Sequence, residues 1–423
     1  MRAPERATSL RERRARARDP SAMDATRFGR KEAAAREAAL RALLPPQILP
    51  LFDVAFIRSH LLYDEFVFRL LLQIARDIHL DEAAREPAGV EELVVRAGLA
   101  PAVAAIPLDW MLRFLSARGV FEEIVDESGC RYRRQGPLPQ LDPIAIREEQ
   151  LRHDSSCRPA YVLAETVARE YPAFLRGEVI GEDVLFAPRR LRLWIDYFSN
   201  ANGFYAVNNA LGAVAVERWL PRFGASIVEL GGGLGSGALA LLEHLRKVEQ
   251  LDAISDYRFT EFVPAFLRRG EQALRQAFPA FTGFTFGPLD MNRSFEEQGV
   301  APGSVSVIFA VNTVHVAHDL DFTLGEVRRA LEPGGQLILS ECVRPRPRQP
   351  IYTEFIFNLT ETFRSPRLHP VYRPYGGFLT PEQWRAAIEA ARFTDVRFLP
   401  DIAQVREQVP DFLVASVGAT RRA

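Results

Sequence analysis

The sequence predicts an α/β protein in which a mostly helical region precedes an open, doubly wound, mainly parallel sheet. Three observations carry this reading. Apolar residues recur at three- and four-residue spacing from about residue 52 to 142; a glycine turn at 231–237 joins a short apolar strand to an apolar helix; and Val305–Val311 is an unbroken apolar run typical of a strand buried on both faces. At 423 residues the chain is long enough for about two domains. The expected division is a flexible tail at 1–22, a helical and winged-helix region at 23–145, a helical linker and lid at 146–220, and the sheet domain at 221–423.

Composition excludes several classes. Lys plus Arg number 53 against 54 Asp plus Glu, so there is no net field to hold a phosphate backbone or an anionic membrane. Three scattered cysteines, Cys130, Cys157 and Cys342, form neither a disulfide framework nor a CxxC metal site, and no metal is expected. No apolar run approaches the roughly 20 residues that span a bilayer, and the first twenty residues are arginine-rich instead of apolar. The expectation is a cytoplasmic protein that binds neither membrane nor nucleic acid. The Arg- and Ala-rich residues 1–22 offer little apolar surface against the entropy of ordering, and Met23 is a second plausible start.

The helical region opens with the apolar stretches 61–63 and 66–72. Two further helices, 90–99 and 108–115, are split by a Pro- and Ala-rich connector, and residues 119–123 and 129–133 read as two short strands around a turn. This is a helix-turn-helix followed by a wing. A DNA-reading second helix needs basic and polar residues, whereas this one carries Trp110, Met111, Leu112, Phe114 and Leu115, with Arg113 its only cation. It is built to bury surface. Helices follow at 161–174 and 191–220; within them Phe204, Tyr205 and the pair Asn208 and Asn209 belong either to core packing or to a lid over a substrate.

The stretch 226–242 is the most informative. The strand ends at Glu229 and Leu230, and Gly231, Gly233 and Gly235 then supply left-handed backbone and close ligand approach. Gly233-x-Gly235-x-x-Ala238 also passes a loose dinucleotide fingerprint, so the acid before the first glycine decides. A carboxylate there repels a pyrophosphate but attracts a ligand that carries an ammonium and a sulfonium. The pattern Glu-x-Gly-x-Gly-x-Gly at 229–235 resembles the first motif of class I S-adenosylmethionine (SAM) methyltransferases, which implies a Rossmann-like, seven-stranded sheet and SAM as cofactor.

Later elements follow that order. A second strand, 257–261, closes on Glu261, where an acid can hold both ribose hydroxyls. A helix at 264–278 and a third strand at 284–286 lead to the run 289–292, where the resemblance places the adenine, with Asp290 accepting from its amino group. Met291 and Asn312 are assigned to the same cofactor set. The fourth strand ends in Asn312-Thr313-Val314-His315, a helix spans about 322–331, and a fifth strand, 336–340, closes on Glu341. His315 and Glu341 therefore lie just past neighbouring strand ends, the edge where ligands sit in such sheets. Methyl transfer to a hydroxyl or an acidic carbon requires removal of a proton, and a histidine oriented by a carboxylate suits that task. His318, three residues deeper in the loop, is the weaker candidate. Residues 344–350 then break the sheet and deliver Tyr352, Phe355, Phe357 and Phe363 as a roof for an apolar pocket; Thr380 caps a helix to 391, and 395–399 and 412–417 complete the sheet as an antiparallel hairpin.

Over about residues 185–345, the run Glu296-Glu297-Gln298-Gly299, the Val-Asn-Thr-Val-His segment and the run from Leu331 to Glu341 resemble methyltransferase domains of polyketide synthases. Those domains use a His and a Glu at matching positions, mostly on the acidic carbon of a β-ketoacyl thioester. The glycine triplet and the winged-helix segment resemble small-molecule O-methyltransferases instead, which implies a homodimer. The continuation His315-Val316-Ala317 departs from the His-Asp-Trp common in plant enzymes. The dyad fits either acceptor. The sequence leans to a hydroxyl or enol oxygen of a polyketide-like or aromatic small molecule, free or carrier-bound, with carbon as the alternative and nitrogen third. A winged-helix regulator with a SAM-sensing domain is the reading from another class.

Overall fold

A computed structural model describes residues 25–127 and 129–422, so the tail expected at 1–22 lies outside them. After the helix Arg30–Arg41 comes the 24-residue helix Val54–Asp77, capped by the Asp53 carboxylate, which accepts from the Phe56 amide. The helices Val90–Arg96 and Pro101–Ser116 then precede β1 (Phe121–Asp126) and β2 (Gly129–Arg134), which pair antiparallel as the expected wing. Helices Arg158–Leu175 and Gly203–Trp219 complete this half.

The sheet consists of β3 (Ala225–Leu230), β4 (Ile254–Thr260), β5 (Phe284–Gly287), β6 (Val305–Val311), β7 (Leu331–Cys342), β8 (Phe393–Leu399) and β9 (Val414–Arg421). Their order is β5-β4-β3-β6-β7-β9-β8, with β9 antiparallel to both neighbours and the remaining pairs parallel. Chain order reverses between β3 and β6, and the crevice at such a switch point is where an open sheet takes its ligand. Every residue of β6 is buried, as its continuous apolar run requires.

Several details differ from the sequence reading. The Pro- and Ala-rich connector before residue 108 is itself helical from Pro101, and the helix read at 191–220 is broken into Leu191–Tyr197 and Gly203–Trp219. β7 does not stop at Ser340: antiparallel pairing with β9 continues through Glu341 and Cys342, so Glu341 is a strand residue. β8 and β9 are neighbours but form no tight hairpin, because the helix Ile402–Gln408 lies between them. Thr380 caps its helix through a full capping box with Gln383, as its place before Pro381 leads one to expect.

Burial divides into two main clusters. One fills both faces of the sheet and takes in Ala33, Leu40, Ile48 and Phe52 from the first helices. The other is formed by the helical region and recruits Tyr352, Phe355, Ile356 and Leu359 from the segment after β7. That segment is held by the fully buried Glu354, whose carboxylate accepts from Arg344 Nε (2.7 Å), Trp110 Nε1 (2.8 Å) and the Ile351 amide (3.0 Å). The apolar helix Pro101–Ser116 thus buries its face inside the same chain.

The helix Gly203–Trp219 lies close on β6 and β7 because Gly212 has no side chain: a Cβ there would sit 3.0 Å from the Phe309 ring and 3.1 Å from Ser340 Cβ. Overpacking of this kind costs about 1–3 kcal/mol. Gly212→Val should therefore lower the denaturant midpoint at unchanged m-value; an unchanged midpoint would show that the helix can shift away freely.

Candidate active site

Glu229 ends up beneath the glycine turn. Its Oε2 accepts from the Tyr257 hydroxyl at 2.9 Å, and the amide of Ala238, at the start of the helix Ser236–Lys247, donates to the same carboxylate. Burial drives its pKa up to about 8, further raised by Glu261 and partly offset by these two donors. Gly231 adopts φ +60°, and a Cβ there would overlap the Thr313 side chain, so the turn nests against the loop after β6. Gly233 is open, with nothing within 4 Å of where a Cβ would stand. The Glu261 carboxylate accepts from the amides of Gly233 (2.9 Å) and Val263 (2.7 Å); burial raises its pKa while these amides pull it back down.

Asp290 is positioned through its backbone: its amide donates to Gln298 Oε1 (2.8 Å), and Gln298 Nε2 donates to its carbonyl (2.9 Å). The Asp290 carboxylate accepts from the Asn292 amide (2.9 Å), and Met291 packs on the sheet core. Asn312 takes a left-handed φ of +48°, its amide donating to the Ser340 carbonyl (2.8 Å) and its Oδ1 accepting from the Cys342 amide (2.8 Å). Beside the glycine helix, Asn209 Oδ1 is buried without a hydrogen-bond partner, 3.7 Å from where a Gly237 Cβ would be. An open glycine, an orphaned acceptor and buried acids at the switch point fit a cationic, phosphate-free ligand such as SAM.

His315 and Glu341 come together as expected. His315 lies in the single 3-10 turn Val314–Val316, and its Nδ1–H donates to Glu341 Oε2 at 2.8 Å. The Val314 amide donates to Glu341 Oε1 at 3.1 Å. Both side chains are buried, at 4% and 0% residue exposure. With Nδ1 committed, Nε2 is the nitrogen left for chemistry. His318 is not part of this arrangement; its amide donates to Asn292 Oδ1 (2.7 Å).

His315 faces a cavity of about 350 Å³. Tyr205, Asn208, Asn312 and Cys342 line it from the sheet side, and Tyr352 and Phe357 from the segment after β7. Phe363 and Phe378 pack against the imidazole, with Phe378 4.3 Å between ring centroids, whereas Phe355 stacks on Tyr171 in the helical core. Of the four aromatic residues expected as a roof, two line the cavity and one backs the histidine. A shallower surface cavity shares His60, Tyr352, Leu413 and Val414 with it but is lined by neither His315 nor Glu341.

The sequence reading missed Arg373. It is 1% exposed and donates to the carbonyls of His315 (2.7 Å) and Ala317 (2.6 Å), and so fixes the turn that carries His315. Burial lowers its pKa to about 10. An arginine in a polar loop gives no sequence signal for such a role. Among the described residues no group of three His, Cys, Asp or Glu could hold a metal ion, and no single helix is long and apolar enough to cross a membrane.

Residues 228–339 match the family model described as a methyltransferase domain. With the strand order and the glycine turn, this establishes that the chain carries a class I, SAM-dependent methyltransferase domain. The chain is 29% identical over 254 residues to highly reducing polyketide synthase 2 of Gibberella zeae, covering 58% of this chain and 9% of that protein. It is 31% identical over 181 residues to reducing polyketide synthase Preu2 of Preussia isomera, covering 42% of this chain and 7% of that protein. The chain thus spans less than a tenth of these relatives. Its fold is that of the CurJ carbon methyltransferase (TM-score 0.71, 20% identity, 95% of this chain and 100% of that one) and of the citrinin polyketide synthase CMeT domain (TM-score 0.69, 16% identity, 93% and 97%).

The buried Glu229 has a consequence for stability. Its folded-state pKa near 8 exceeds the ordinary carboxylate value of about 4.3, so its neutral form favours folding. That contribution is complete below the ordinary value and is lost as pH rises through about 8. The ligand-free protein should lose melting temperature between about pH 5 and about pH 9, and Glu229→Gln should flatten the slope. Identical slopes for the two proteins would place the titration elsewhere.

Proposed function

We propose that this chain transfers a methyl group from SAM to the acidic α-carbon of a polyketide-like β-ketoacyl acceptor presented as a thioester, with His315 as general base and Glu341 orienting it. The observation that carries this is the His315–Glu341 pair, with His315 facing an aromatic-lined cavity. A carbon between two carbonyls is acidic enough for a histidine base, and the carboxylate stabilises the imidazolium as it forms. The similarity to reducing polyketide synthases and to structures described as carbon methyltransferases favours carbon over the oxygen toward which the sequence leans.

SAM, when bound, supplies the methyl group as an electrophile. The turn would admit it at Gly233, with Gly231 and Gly235 shaping the backbone on either side; Glu261, which keeps its two amides, would accept from the ribose hydroxyls with its remaining lone pairs, and Asp290, with Met291 beside it, would take the adenine edge. Glu229 lies beneath the turn, where the ammonium, once bound, would offset the cost of burial and draw its carboxyl back into the charged form, and Asn312 lines the acceptor side.

His315→Ala should bind S-adenosylhomocysteine, the demethylated cofactor, as the unaltered chain does by calorimetry, while methylation of a β-ketoacyl thioester falls by about 10²–10⁴-fold. The product should carry the new methyl on carbon by mass spectrometry and NMR. A methyl on oxygen, or undiminished turnover in the variant, would overturn this reading.

A further inference from the structure

The sheet side of the cavity holds one amide that the reaction as described leaves idle. Asn208 is 1% exposed, lines the cavity together with His315, and its Nδ2 has no hydrogen-bond partner. A buried donor without a partner costs about 1–3 kcal/mol, which an incoming acceptor oxygen would recover. We propose that Asn208 is a further catalytic residue, whose side-chain N–H holds the carbonyl oxygen of the acceptor as it becomes an enolate. This rests on the carbon-methylation reading above.

The geometry fixes both the place and the direction of this amide. The Asn208 carbonyl accepts from Ser340 Oγ at 2.7 Å, and Asn208 Oδ1 faces Cys342 Sγ at 3.9 Å. Burial pushes the Cys342 thiol up to about 12, so it stays protonated and donates to Oδ1, which turns the NH₂ group the other way. Ser340, Glu341 and Cys342 are consecutive in β7, and strand side chains alternate between faces. Asn208 is therefore anchored from one face of the strand and His315 from the other, with the cavity over the strand's end between them. In the step, the α C–H bond breaks, its proton passes to His315 Nε2, and the electron pair moves onto the carbonyl oxygen, which accepts from Asn208 Nδ2.

Enolate formation needs no cofactor, so it can be read alone. The full chain, without SAM, is incubated in heavy water with a β-ketoacyl thioester mimic, and α-deuterium uptake above the buffer rate is followed by mass spectrometry. Asn208→Leu should slow uptake by about 10²–10³-fold, with unchanged S-adenosylhomocysteine affinity and melting temperature. Asn208→Asp, nearly the same size but without the donor, should be at least as slow and covers the case in which the leucine variant does not fold. Uptake at the unaltered rate in these variants, while His315→Ala abolishes it, would overturn the role of Asn208 alone. So would a loss confined to Thr353→Val or to His60→Phe, which remove the other cavity-lining side chains that, among the described residues, bury a polar atom without a partner. No uptake by the unaltered chain would overturn the carbon reading and this inference with it.

Discussion

Glu341 puts a carboxylate with no residual exposure into a strand flanked on both sides by other strands. Such burial costs several kcal/mol unless hydrogen bonds replace the lost water, and here they come from His315 Nδ1 and the Val314 amide. The same two bonds that make the acid tolerable also set the path of the chain after β6. Arg373 completes the constraint from outside by holding the carbonyls of His315 and Ala317. His315 is thus held by side chains from two other segments, those of Glu341 and Arg373, and its ring has little freedom to choose another tautomer.

The cofactor side follows a different physical logic. There the acids are spread along successive strand ends, and each is occupied by the protein's own donors: Tyr257 on Glu229, two amides on Glu261, and Asn292 on Asp290. These groups keep the crevice shaped before any ligand arrives, so little conformational ordering remains to be paid on binding. Gln298 belongs to this set as well. Its reciprocal bonds to the Asp290 backbone give a structural reason for the Glu-Gln-Gly run that stands out in the sequence.

Much of this was legible in the sequence because it depends on local pattern. The continuous apolar run of β6, the glycine turn and the Thr380 cap each have a short-range signature, and all fall where they were expected. The dyad was legible because both members sit at strand ends, positions that the sheet topology brings together. What was not legible depends on distant partners. Arg373 is remote in sequence from most of the sheet, Tyr257 reads simply as a strand aromatic, and the extension of β7 through Glu341 requires β9, more than seventy residues on. The aromatic roof was legible as a class of residue and less so by position: Tyr352 and Phe357 reach the cavity, whereas Phe355 turns into the helical core, because single-turn helices give no periodicity long enough to assign a face.

The Glu354 cluster ties a tryptophan of the helical region and an arginine just past β7 to one buried carboxylate. Detaching the segment above the cavity would strand that charge in an apolar surrounding, so this segment cannot swing away like a flap while the rest stays folded. It belongs to the same cooperative unit as the helices on which it rests. On the proposed reading, passage of a bulky acceptor into the cavity then relies on rotation of individual rings around it. Selection among acceptors accordingly becomes a matter of which side chains can turn aside, and how often.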